Sequence, residues 1–76
     1  MAVANMHTNI RKRHGPIRDL IDQVQAEYAE MPGLSVTLPQ AQRLWSVDRG
    51  LCEEAFSRLI RSGVLRRTTK GRFVRA

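Results

Sequence analysis

From Ile17 onward, apolar residues return at steps of three and four: Ile17, Leu20, Ile21, Val24, Tyr28 and Met31. That spacing predicts an amphipathic helix, opened by Pro16 and ended by Pro32-Gly33. Asp22, Glu27 and Glu30 give it an acidic outer face, while Met31 and Tyr28 are expected in the core. Leu34 to Thr37 then alternates apolar and polar residues, and its β-branched Val36 and Thr37 suit a brief strand. Thr37 followed three residues later by Gln40 reads as a capping box, so a second helix should begin at Leu38, with Pro39 in its first turn. Ala41, Leu44 and Trp45 supply its apolar face, and the helix should stop at Ser46-Val47-Asp48. Asp48 can cap a third helix from Arg49, whose buried stripe is Cys52, Ala55, Phe56, Leu59 and Ile60. Gly63 should close it by taking a left-handed backbone. The C-terminal stretch reads as a hairpin of strands at about 64–68 and Arg72–Arg75, turned by Thr69-Lys70-Gly71. Leu65 and Phe73 face the core there, with Arg66, Arg72 and Val74 on the other side. A two-stranded hairpin is marginal in water, so the segment around Val36 is expected to pair with it as a third strand.

Charge sharpens this picture because it is segregated. Residues 1–38 carry four basic and four acidic residues, whereas residues 39–76 carry nine basic and three acidic ones, so the whole net charge of +6 belongs to the second half. Such polarity points to a polyanionic partner. Residues 1–15 show no sustained period and hold the basic cluster Arg11, Lys12 and Arg13, which leads to the expectation of a flexible arm before a domain at 16–76. That cluster could lie along phosphates or reach a minor groove.

The order Ala41, Leu44, Trp45, Val47, Cys52, Ala55 resembles the apolar signature of a helix-turn-helix, and the following GVLRRTTKGRFVRA resembles the wing of a winged-helix domain. The chain departs from that pattern at Gln42, where a second small residue is common, and at Ser46, where the turn often has glycine. The resemblance implies an α+β fold: a three-helix winged helix-turn-helix with a small antiparallel sheet, ordered helix, strand, helix, helix, strand, strand. It also implies duplex DNA binding, with the Arg49–Arg61 helix in the major groove and the wing on phosphate or minor groove, and a role in transcriptional regulation. On that reading the DNA-binding residues are Arg43, Arg49, Gly50, Glu53, Ser57, Arg58, Arg61, Arg66, Arg67, Lys70, Arg72 and Arg75.

Glu53 and Glu54 weigh against it, since two carboxylates near the start of a DNA-reading helix repel phosphates. They favour the alternative of a winged-helix module that binds a protein partner without DNA; RNA is a third option. Catalysis has little footing. Both histidines, His7 and His14, fall in the expected arm, far from any Ser or Cys nucleophile, and no metal-ligand spacing or phosphate-binding glycine loop occurs. An enzyme, a cofactor and a metal are therefore not expected. The single Cys52 sits on a buried stripe and reads as a small core hydrophobe, compatible with a reducing cytoplasm. No apolar run approaches the ~20 residues of a membrane span.

Overall fold

The computed structural model describes the backbone from Ala2 and side chains from Gly15 to Ala76, so the side chains of the expected arm, Arg11, Lys12 and Arg13 among them, lie outside the described residues. The first helix, α1 (Ala2–Glu30), is interrupted at Gly15, whose φ of 81° and ψ of 157° are open only to glycine. Pro16 follows the interruption, where a fixed φ and a missing N–H fit the opening of a new helical segment. The chain continues through β1 (Val36–Thr37), α2 (Leu38–Trp45), α3 (Arg49–Arg61), β2 (Leu65–Arg67) and β3 (Arg72–Arg75). It is an α+β fold with the element order read from the sequence, and its sheet runs β1-β3-β2, antiparallel throughout.

Local chemistry accounts for the helix ends. The Thr37 hydroxyl accepts from the Gln40 N–H at 3.3 Å, and Gln40 Oε1 accepts from the Thr37 N–H at 2.9 Å, completing the reciprocal cap on α2. Asp48 Oδ1 accepts from the Leu51 N–H at 2.7 Å and starts α3. Gly63, at φ 83°, closes α3: its N–H donates to Ile60 O, and the Val64 N–H reaches back to Leu59 O, each at 3.0 Å. Ser46 ends α2 the same way at φ 54°, taking with a side chain the left-handed turn that glycine takes elsewhere.

The three helices and the sheet close on one core. Leu20, Val24 and Tyr28 of α1 meet Ala41 and Trp45 of α2, the buried stripe of α3, and Val36, Leu65 and Phe73 of the sheet. Aromatic rings link its parts: Phe56 lies 6.0 Å from Trp45 and 4.7 Å, edge-on, from Phe73. The Tyr28 hydroxyl donates to Phe73 O at 2.7 Å, tying α1 to the central strand. Burial pushes that phenol up to about 12. Cys52 is wholly buried, and burial first, then the Glu53 and Asp48 carboxylates, push its thiol up.

Three expected core residues are not in it. Leu44 is 54 % exposed, Met31 46 % and Ile60 37 %. On an ideal helix, at about 100° per residue, Leu44 stands roughly 90–100° from the direction shared by Leu38, Ala41 and Trp45. Ile60 stands about as far from the centre of the Cys52–Ala55–Phe56–Leu59 stripe. Met31 follows the last residue of α1 and lacks a helical neighbour to hold it inward. The strands are also shorter than expected, Val36–Thr37 and Leu65–Arg67, although the Thr68 N–H still donates to Arg72 O and the Ala76 N–H to Val64 O at the two ends of β2.

Candidate nucleic-acid interface

The outward face of α3 follows from what its inward face buries. With Cys52, Ala55, Phe56 and Leu59 turned to the core, Gly50, Ser57 and Arg61 fall on the opposite side, within about 40° of one another at about 100° per residue, and Glu54 borders them about 20° beyond Arg61. Two ion pairs flank this crest. Arg49 Nε donates to Glu53 Oε2 at 3.0 Å on the side facing the sheet, and Arg58 Nε donates to Glu54 Oε2 at 2.8 Å on the side facing α1. These are surface pairs spaced four apart, each worth about 0.3–0.5 kcal/mol. Each carboxylate nevertheless sits against a guanidinium of its own helix rather than standing alone.

Gly50 is unlike the other glycines singled out above. Its φ is not positive, and a Cβ there would meet only Asp48 Oδ1, at an ordinary 3.6 Å. Nothing within the fold calls for glycine at this position, the second residue of α3, where it gives up the alanine side chain's helix-forming preference without a turn or close approach to explain it.

The hairpin supplies the densest charge. Arg66 and Arg72 lie on the outer face of the sheet, where the Arg72 guanidinium reaches Ser35 O at 3.4 Å. Lys70 sits in the turn, and Arg67, paired in register with Phe73, holds its guanidinium 5.7 Å from the centre of that ring. Arg49, Glu53, Ser57 and Arg67 rim a groove of ≈ 400 Å³ between α3 and the sheet, floored by Leu38, Phe56, Ile60 and Phe73, so Ser57 stands between the crest and this groove. The groove was not legible in sequence, since helical spacing alone put Ile60 on the buried stripe.

Other expected site residues lie apart. Arg75 sits beside Gln25, Tyr28 and Ala29 of α1, and Arg58 borders a second groove with Arg18, Ile21 and Asp22. Arg43 is exposed on α2. The described residues include every Asp and Glu of the chain, so the pairing of charges is complete there. Of the nine basic residues beyond position 38, only Arg49 and Arg58 form ion pairs, which leaves Arg43, Arg61, Arg66, Arg67, Lys70, Arg72 and Arg75 without a carboxylate. No helix among the described residues is long and apolar enough to cross a membrane. No protein-family model matches the chain, and no curated protein or solved structure matches it either.

Proposed function

We propose that the chain binds duplex DNA through α3 and the basic β2–β3 hairpin, as a winged helix-turn-helix, and serves transcriptional regulation. The observation that carries this reading is the block of seven basic residues with no acidic partner, on a half of the chain that holds all the net charge. The objection raised by Glu53 and Glu54 is weakened by their pairing with Arg49 and Arg58, which leaves α3 with one positive charge in excess, at Arg61. Hairpin cations reach phosphate without reading sequence, while the exposed face of α3 meets base edges. Regulation follows from the analogy with winged-helix domains and from nothing more specific.

The test is a titration of labelled random-sequence duplex at two salt concentrations. If Arg66, Arg67, Lys70 and Arg72 each neutralise one phosphate, affinity falls roughly 150-fold between about 50 and about 200 mM salt, from ~0.9 in log–log slope per contact. Neutralising Lys70 alone makes the slope shallower by about 0.9. Glu53→Gln strengthens binding to any duplex by removing a charge that repels phosphate. A second reading, a module that binds a protein and not DNA, draws on the 54 % exposed Leu44. Salt-independent or undetectable duplex binding would leave that reading in place of the first.

A further inference from the structure

From the shape and charge of α3, and resting on the duplex-binding reading above, we propose that Gly50, Ser57 and Arg61 are the residues that meet base edges. Gly50 acts there by its lack of a side chain. Three observations converge on this assignment. The long side chains on the two flanks of the crest lie against each other, Arg49 on Glu53 and Arg58 on Glu54, so each guanidinium is directed along the helix flank in this structure. The crest between them is low, with glycine and serine separated by two helical turns, and it carries the one arginine of α3 without a carboxylate. Finally, the fold itself has no need of glycine at position 50, because a Cβ would find ordinary space there.

A glycine in the first turn of α3 that the backbone does not require leaves room for something that approaches from outside. A duplex settling on this crest brings its surface close to the α3 backbone at Gly50, where a methyl group would hold it off. Ser57 can then donate to or accept from a base edge, and Arg61 can offer two donors to a guanine. Arg49, also among the DNA-binding residues expected from the sequence, instead lines the groove between α3 and the sheet and pairs with Glu53. The paired charges on the flanks are close to neutral, so they add little attraction for an arbitrary phosphate backbone. Non-specific affinity is thereby left to the hairpin, and α3 is left to discriminate.

The experiment compares the wild-type chain with Gly50→Ala, Ser57→Ala, Arg61→Lys and Arg49→Gln. Thermal melting is read alongside affinity for a random duplex and for the duplex each protein enriches from a randomised library. Gly50→Ala is expected to melt at or above the wild-type temperature while binding the enriched duplex roughly tenfold or more weakly, the scale of one lost base contact. Arg61→Lys keeps the charge and loses the planar fork, so random-duplex affinity holds while preference for the enriched sequence drops by a similar factor. Ser57→Ala changes the enriched sequence at one position, and Arg49→Gln leaves that sequence unchanged. The assignment is overturned if Gly50→Ala binds as tightly as wild type, or if it melts at a lower temperature, which would make the glycine a requirement of the fold. It also fails if the wild-type chain binds duplex with the expected salt dependence and enriches no sequence, an outcome that leaves duplex binding by the hairpin standing. Absence of any duplex binding by the wild-type chain would remove both readings together.

Discussion

Replacing Tyr28 by Phe tests the one hydrogen bond that ties α1 to the centre of the sheet. Tyr28 is 2 % exposed and its hydroxyl donates to Phe73 O at 2.7 Å. Removing it subtracts a buried donor from a buried acceptor, which costs about 1–3 kcal/mol near neutral pH. In a domain of this size each kcal/mol lowers the melting temperature by about 4–8 °C. The pH dependence gives the sharper test. The unfolded phenol ionises at its ordinary 10.0, whereas burial holds the folded one near about 12. The folded-state value is the higher one, so this group's contribution is fully present below pH 10 and is lost as pH rises through 12. At pH 11 the wild-type chain has given up about 1.4 kcal/mol that Tyr28→Phe never had, because each tenfold difference in proton affinity between the folded and unfolded phenol is worth about 1.36 kcal/mol. Comparing the two proteins cancels every other group that titrates in the same range. Urea unfolding at pH 7 and pH 11 therefore should show the stability gap narrowing by about 1.4 kcal/mol. A gap of equal size at both pH values would mean that the phenol is not buried against the strand.

Leu59→Ala should cost about 2–5 kcal/mol by removing a 2 % exposed side chain from the centre of the core, and a change below about 0.5 kcal/mol in urea unfolding would displace the α3 stripe. Ser46→Gly should raise stability by about 0.5–1 kcal/mol, since φ 54° is costly for a side chain and glycine gives back part of the gain in the unfolded state. A thermal melt that falls instead would show the Ser46 side chain to be engaged in something beyond the turn.

The features legible in sequence were those set by neighbours along the chain. Thr37 with Gln40, Asp48 before Arg49, and Gly63 after α3 each act over three to five residues, and all three helix ends stand where those signals put them. The alternation around Phe73 likewise predicted which hairpin residues turn inward, because the side-chain period of a strand is two. Charge segregation needs only counting. Tertiary structure decided what depends on a direction in space. Spacing alone cannot say where a stripe is centred: Leu44 and Ile60 match the period and yet stand to one side, because the helices are turned so that Trp45 meets Phe56 and Phe56 meets Phe73. The Tyr28 bond to Phe73 spans 45 positions and leaves no local trace. At the interface, the pairing of Glu53 with Arg49 and of Glu54 with Arg58 is again local, each spanning four residues of one helix. Which flank faces what was decided in three dimensions: packing of α3 sets the first pair beside the groove toward the sheet and the second toward α1, because the buried stripe fixes how the helix is turned.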